Sequence, residues 1–509
     1  MTKKTLPYLL LYFFASVVLY LCCYKLAANN FIFTLDDAYI HLAVAENILK
    51  GGYGINIPEY SSPSSSILFP YLLAALLKLK ISGNWAALLL NIIPTVITIH
   101  ILVGYYYKKI KENNNKLALK LFPLIALLLI LSVNAIALPF TGMENSLHVS
   151  LTAITFLGLI QLFEKNKVAA YLLVGIILLP LIRFEGFALS GIAIIALLYQ
   201  RKYKHAFLCI AIIGIAILTY LLYMHSIGLP SLPSSVLTKS SASASILGLN
   251  VFSTLFFLIK EFILKISNGD AGTIFFLFVL YVFFIVKKEK LLLAAGLTIL
   301  AHLLAGSFGW FYRYEVYGVV VILLSIPIIV ATMQQSTQFK VILFTLLFFS
   351  LSYIKPILYT PLSTKGIYEQ QQQMHVFATR FFSHNVAVND LGLVAYKNDN
   401  YVLDLWGLGS EPVRKLRSKD AFNKAAVHKM TNEKLVKFAM LYDEWFPNQI
   451  PNQWELGGYL TTSKFGTAYP KVAFYLTDTL LKKEFITSLK EFKKELPVGA
   501  SFEIVIKED

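Results

Sequence analysis

Leu6 to Cys23 reads LPYLLLYFFASVVLYLCC, eighteen residues without a charge, and that stretch decides what kind of molecule this is. At 1.5 Å per residue a helix of that length is about 27 Å long, close to the ~30 Å hydrocarbon core of a bilayer. A second such run, LFPLIALLLILSVNAIALPF, covers Leu121 to Phe140. Over the whole chain of 509 residues, 57% are apolar and 15% charged, against roughly 45–50% and about 25% in ordinary soluble domains. A soluble enzyme, a disordered chain and a small disulfide scaffold are excluded, and a polytopic α-helical membrane protein is predicted. Cys22, Cys23 and Cys209 all lie inside apolar runs, so they form neither a disulfide framework nor a metal-ligand spacing. The formal net charge of +16 comes from short lysine tracts between apolar runs, the pattern of the positive-inside rule and not of nucleic-acid binding.

Working outward from that first run, Met1 to Lys4 carries two lysines and no small-residue cleavage site precedes Asn29, so the first span is read as retained, with its amino end cytoplasmic. The tracts Lys108/Lys109/Lys111/Lys116/Lys120, Lys165/Lys167, Arg201/Lys202/Lys204 and Lys287/Lys288/Lys290 are assigned to the cytoplasmic side. Ile67 to Leu79 is short, contains Pro70 and follows the turn-rich PEYSSPSSS, which predicts an interfacial helix that does not cross. Spans are then expected over approximately 6–28, 85–107, 118–140, 145–163, 168–182, 186–200, 205–224, 272–287, 290–307, 316–333 and 340–354, about eleven in all. The odd number places the carboxyl end outside. Residues 1–354 form a membrane domain whose outer connections include 29–84, with interfacial helices, and a lid loop at 225–271. From 355 to 509 the composition becomes that of ordinary soluble sequence, about one domain in length. Val386–Val388, Leu391–Tyr396, Tyr401–Leu405 and Ser501–Ile506 read as strands and Lys419–Tyr442 as helix, giving an extracytoplasmic α/β or α+β domain.

The chemistry-bearing residues fall on the outer connections. In TLDDAYIHLAVAENILKGGYGIN, Thr34 to Asn56, Thr34 is placed to cap a helix that starts at Asp36–Asp37 and ends at Gly51–Gly52. Acids in a first turn complement the helix dipole whatever else they do. At a membrane edge they are also oxygen ligands for a divalent cation or a phosphate-bearing headgroup. His41 follows Asp37 by one turn, where a lone histidine on an amphipathic helix more often packs or is solvated than binds substrate. Glu144, in TGMENSLH, stands between two apolar runs, where an ionisable group is a functional candidate. Arg183 and Glu185, in LIRFEGFAL, form either a structural ion pair or a phosphate-holding fork with its counter-charge. Arg313 sits among Trp310, Phe311, Tyr312, Tyr314 and Tyr317, rings that an interfacial aromatic belt explains without explaining the arginine. Lys239 is the single cation of the Pro/Ser-rich stretch LPSLPSSVLTKSSASAS in the lid loop. Phosphate-loop, dinucleotide, zinc-hydrolase and nucleophile-elbow motifs are absent from the sequence.

Taken in order, DDAYIHLAVAENIL after a first span, GGYGIN, YSSPSSSILFPYLLAALLKL, TGMENSLHV, LIRFEGFAL, LPSLPSSVLTKS, FYRYEVYG and VNDLGLVAYKNDNYVLDLWGLGS make the chain similar to the integral-membrane C-class (GT-C) glycosyltransferases. The resemblance is greatest to the branch of the terminal arabinofuranosyltransferases and more distant to aminoarabinose transferases and protein O-mannosyltransferases. It implies an inverting glycosyltransferase that moves a sugar from a polyprenyl-phosphate donor to a cell-envelope glycan, glycolipid or protein acceptor. By the same resemblance Asp36 or Asp37 is the catalytic carboxylate, and Asp37 with Glu144 holds a divalent metal, Mg2+ or Mn2+. His41, Glu144, Arg183, Glu185, Lys239 and Arg313 bind substrate. The implied setting is the bacterial cytoplasmic (inner) membrane with the carboxyl-terminal domain in the periplasm. Its partners are the lipid carrier, the acceptor and the membrane, with no nucleic acid. A transporter or flippase of lipid-linked glycans is the rival reading, and it predicts charges near the middle of spans and a repeated architecture.

Overall fold

A computed structural model of the chain describes residues 4–57, 59–239, 260–266, 270–286 and 289–508. The first run is helix α1, Leu6–Leu26, and the acidic stretch gives α2, Asp37–Leu49. Next come α3 (Phe69–Lys78), α4 (Gly83–Glu112), α5 (Lys116–Lys120), α6 (Phe122–Ser132) and α7 (Asn145–Lys165). They are followed by α8 (Ala170–Ile182), α9 (Gly186–Tyr199), α10 (Tyr203–Ser226), α11 (Ser234–Lys239) and α12 (Lys260–Ile266). Helices α13 (Asp270–Leu280), α14 (Lys290–Ala305), α15 (Val316–Ile329) and α16 (Gln335–Glu369) complete the bundle.

Every expected span coincides with an apolar helix, and helix length alone does not confirm about eleven crossings. Among the described residues five helices are long and apolar enough to cross alone, those beginning at Leu6, Gly83, Asn145, Tyr203 and Gln335, and α12 with α13 makes a sixth only as a pair bent by 106°. The others run from 11 to 16 residues, about 16–24 Å of helix. Composition registers the apolar run and not the break inside it. The run at 118–140, for example, is interrupted after Ser132 by turns that lead to Leu138–Thr141. Helix α3, 10 residues or about 15 Å, covers only half of a hydrocarbon core. Helix α16 starts before residue 340 and continues fifteen residues past 354 through Pro356 and Pro361, so the change of composition there does not end the helix.

The bundle has two chemically different ends. At one, Lys4 donates to the Tyr107 hydroxyl, Lys109 pairs with Glu164 at 2.7 Å, Asn115 Nδ2 donates to the Gln335 carbonyl at 2.8 Å, and Lys290 donates to Tyr199. The described residues of the four basic tracts all join helices at this end. The other end carries α2, the turn before α7, the Arg183–Glu185 break and the segment before α15.

On that second end sits a six-stranded mixed sheet of order β2-β1-β3-β5-β4-β6, with β1 Val386–Val388, β2 Val402–Asp404, β3 Phe438–Leu441, β4 Glu455–Thr461, β5 Lys471–Leu476 and β6 Ser501–Ile504. Strand β1 is parallel to both β2 and β3, and the remaining pairs are antiparallel. Two sequence expectations fail here. Leu391–Tyr396 is not a strand but a helical turn, Gly392–Ala395, because its first amides are committed to a carboxylate elsewhere. Lys419–Tyr442 is helix only over Lys424–Glu433 and ends as β3, its apolar FAML being buried on both faces. One hydrophobic core joins this sheet to the first outer loop, with Phe33, Leu35, Ala38 and Tyr39 packed in the same cluster as Val386, Phe438 and Phe474.

Candidate active site

Helix α2 begins at Asp37, with Asp36 as the preceding residue and no side-chain cap. Thr34, expected as the cap, instead donates from Oγ1 to the Phe140 carbonyl at 3.1 Å, and its backbone N–H reaches the same oxygen at 3.0 Å. That stitch lays the Thr141–Glu144 turn against α2. The approach is close enough that a Cβ on Gly142, whose φ is +67°, would stand 2.8 Å from Ala38 Cβ and from Phe33. Only glycine fits there.

Across this contact His41, fully buried, places Nε2 3.3 Å from Glu144 Oε2, and its Nδ1 meets Ser64 Oγ at 3.1 Å. Glu144 Oε1 accepts from Arg183 Nη1 at 2.6 Å and from Ser65 Oγ at 2.8 Å. Arg183 sits in extended backbone between α8 and α9, and there its fork turns the other way onto Glu185, from Nη2 at 2.7 Å and Nε at 3.2 Å. Burial would raise the Glu144 carboxyl, but the Arg183 guanidinium and then His41 outweigh it and hold it well below the usual range. Glu185, also opposed by burial, is held down to about 2 by Arg183. Arg183 is therefore saturated by two carboxylates.

Arg313 is different. Its Nη2 donates to Asp37 Oδ2 at 2.8 Å and to the Tyr314 hydroxyl at 2.8 Å, while its buried Nε and Nη1 have no hydrogen-bond partner among the described residues. Both guanidiniums lie against the Tyr314 ring, Arg183 at 5.3 Å and Arg313 at 4.9 Å. Gly309 to Tyr312, just before it, all have positive φ, a left-handed turn that costs roughly 1–2 kcal/mol per non-glycine residue.

Asp36 faces the sheet. Its Oδ2 accepts from the Gly392 N–H at 2.7 Å and its Oδ1 from the Leu393 N–H at 2.8 Å. Burial, and then the charge of Asp390, push it up to about 8 against those two amides. Asp36, Asp37, Arg313, Asn389, Asp390 and Trp406 are among the residues lining one cleft of about 280 Å3 between the bundle and the sheet.

The structure thus brings Asp37, His41, Glu144, Arg183, Glu185 and Arg313 into one connected set with Asp36 at its border. Lys239 ends α11, which docks on the serine stretch through Ser234 N–H to the Ser62 carbonyl at 2.9 Å and Ser235 Oγ to the Ser64 carbonyl at 3.0 Å. About half of the expected lid, 240–259 and 267–269, lies outside the described residues. For a divalent cation, Glu144 Oε1 is already taken by Arg183 and Ser65 while its Oε2 faces His41 Nε2 at 3.3 Å, and Asp37 Oδ2 is taken by Arg313. Among the described residues no three His, Cys, Asp or Glu side chains converge as a ligand set. Sequence reasoning missed the wall contributed by the sheet, Gln371, Asn389, Asp390, Trp406 and Trp445. The available signal was that Asn389–Asp390 and Leu405–Trp406 directly follow two segments legible as strands.

Residues 364–475 match a family described as Domain of unknown function (DUF8728). No curated protein matches the chain. Among solved structures the chain is similar to ArnT from Cupriavidus metallidurans in the apo state, at 10% identity and a TM-score of 0.46, over 93% of this chain and 98% of that one. It is also similar to the Archaeoglobus fulgidus oligosaccharyltransferase in complex with Zn and sulfate, at 12% identity and a TM-score of 0.41, over 96% and 74%. The same organism's AglB with an inhibitory peptide and a dolichol-phosphate gives 12% identity and a TM-score of 0.40, over 96% and 75%. The likeness assigns no residue here a role.

Proposed function

We propose that the chain is an inverting glycosyltransferase working at the outer edge of the cytoplasmic membrane, with a polyprenyl-phosphate sugar as donor. The observation that carries the reading is the pairing, at one cleft, of the Asp37 carboxylate with an Arg313 guanidinium that keeps two unpartnered nitrogens. The acceptor hydroxyl gives its proton to Asp37 as its oxygen bonds to the anomeric carbon. On the opposite side the bond from that carbon to the phosphate oxygen breaks, and the electron pair leaves on the phosphate. A general base within reach of the proton supplies typically 10²–10⁴-fold, and the charge developing on the departing phosphate calls for a fixed cation. Arg313 is the residue for that task, because the fork of Arg183 is filled by Glu144 and Glu185. Asp36, with both oxygens on backbone amides, positions Asp37 by holding the start of α2 on the sheet.

The test is release of sugar from a polyprenyl-phosphate donor by purified protein in nanodiscs. Asp37→Asn is expected to lower turnover at least a hundredfold, and Arg313→Lys to lower it with the fold intact, since a lysine cannot supply the planar fork. Undiminished turnover in Asp37→Asn overturns the assignment. Flux of lipid-linked sugar across the bilayer without covalent transfer overturns the reaction class.

A further inference from the structure

The three parallel strands of the sheet all end at the cleft. Strand β1 runs into Asn389 and Asp390, β2 into Leu405 and Trp406, and β3 into Tyr442 and, one turn later, Trp445. In the order β2-β1-β3-β5-β4-β6 the connection leaving β1 goes to β2 on one side and that leaving β3 goes to β4 on the other, so the neighbouring ends of β1 and β3 form a switch point. In sheets of parallel strands, the crevice beyond the carboxyl ends at such a switch point is where ligands sit.

Two polar groups there lack partners. Asn389 Oδ1 accepts from the Tyr442 N–H at 2.8 Å, which fixes the amide, and leaves its buried Nδ2 unpaired among the described residues. Gln371 Nε2 donates to Asp390 Oδ2 at 2.9 Å and to the Tyr442 hydroxyl at 3.2 Å, which leaves its buried Oε1 unpaired. Buried polar groups are nearly always satisfied, so an unpaired donor and an unpaired acceptor on residues lining one cleft call for a ligand that can both accept and donate. A hydroxyl does both, whereas a phosphate only accepts and an acyl chain does neither. Over the same cleft stand Trp406 and Trp445, half-buried, with ring centroids 4.6 Å apart. Trp406 is anchored through its backbone N–H, which donates to the buried Asp404 at 2.8 Å, and the Arg417 guanidinium lies 4.7 Å from its ring. A rigid aromatic face beside amides and a carboxylate suits a molecule with a C–H face and a hydroxyl rim.

We infer that this wall of the cleft is the acceptor subsite and that it takes a sugar ring, stacked on Trp406 and Trp445 and hydrogen-bonded by Asn389, Gln371 and Asp390. The aromatic face favours a glycan over a peptide as the acceptor. This rests on the transfer reading for its name as an acceptor site, though not for its chemistry.

The experiment is saturation-transfer NMR on the full chain in nanodiscs with a panel of neutral methyl pyranosides and furanosides, and with a Ser/Thr-rich decapeptide. Expected are saturation of the ring C–H protons of at least one glycoside, at least a tenfold loss of its affinity in Trp406→Ala and Trp445→Ala, and partial retention in the Phe substitutions, which keep a ring. Asn389→Ala is expected to weaken the same glycoside with the fold unchanged. Glycoside binding that survives both Trp→Ala changes overturns the subsite, as does saturation of the peptide alone. Trp-dependent glycoside binding without turnover of any polyprenyl-phosphate sugar keeps the subsite and removes the transfer reading. Turnover without glycoside binding removes the subsite alone.

Discussion

At the scale of single residues, two buried arginines about one tyrosine do opposite work. Arg183 neutralises Glu144 and Glu185, and truncating one member of such a set leaves a buried charge behind, a loss of about 3–5 kcal/mol. Arg183→Ala and Glu144→Gln are therefore expected to lower the melting temperature in nanodiscs, while Arg313→Lys leaves it near wild type and acts on turnover. The same set has a pH signature. Glu144 and Glu185 have folded values below the ordinary carboxylate range near 4.3, so their contribution is complete above that value and is lost as pH falls towards about 2. Asp36 has the opposite sign. Its folded value of about 8 lies above the unfolded one, so its contribution is complete below about 3.9 and disappears as pH rises through 8. Asp36→Asn is expected to flatten the alkaline side of a melting temperature against pH curve and to leave the acid side steep. An unchanged alkaline slope would show that Asp36 does not titrate as its surroundings require.

At the scale of elements, the site is made by close approaches between pieces distant in sequence. A Cβ on Gly392 would lie 2.1 Å from the Asp36 carbonyl oxygen, so Gly392→Ala must push the sheet off α2 and break both amide bonds to Asp36. Gly142→Ala carries about 1–2 kcal/mol for its left-handed backbone alone and adds the contact with Ala38. Both are expected to lower stability by more than an ordinary surface change, with Gly392→Ala also raising protease sensitivity near residue 392, as limited proteolysis reads. The same approaches explain what the sequence could and could not disclose. Asp37, His41, Glu144, Arg183 and Arg313 were legible as candidates because ionisable groups stand out at the edges of apolar runs, although a helix-dipole acid, a packed histidine and a structural ion pair account for some of them equally well. Asn389, Gln371 and the two tryptophans were not, because they are ordinary residues of a soluble domain until β1, β2 and β3 set their ends together. The turn at Gly392–Ala395 looked like a strand for a related reason. Its apolar pattern is that of a buried segment, and only the distant Asp36 decides that its amides point out of a ladder.

At the scale of the whole molecule, helices too short to cross alone were legible as apolar runs and not as broken ones, since Arg183 and Ser132 interrupt the helix without ending the hydrophobic stretch. What the runs and tracts did convey is polarity. Chain direction alternates so that the described residues of the four basic tracts meet at one end of the bundle and the sheet with its cleft lies at the other. Lysine tracts stay on the cytoplasmic side during insertion, so the proposed function expects the cleft outside, where a lipid-linked donor and an envelope acceptor would meet. A cysteine placed at Asn114, in a background with Cys22, Cys23 and Cys209 replaced by serine, is then expected to react with a membrane-impermeant maleimide only after the cells are permeabilised. One at Lys464, in the loop between β4 and β5, is expected to react in intact spheroplasts. The opposite pattern would place the cleft in the cytoplasm, where soluble nucleotide sugars are the donors at hand, and would remove the reason for a lipid-borne one.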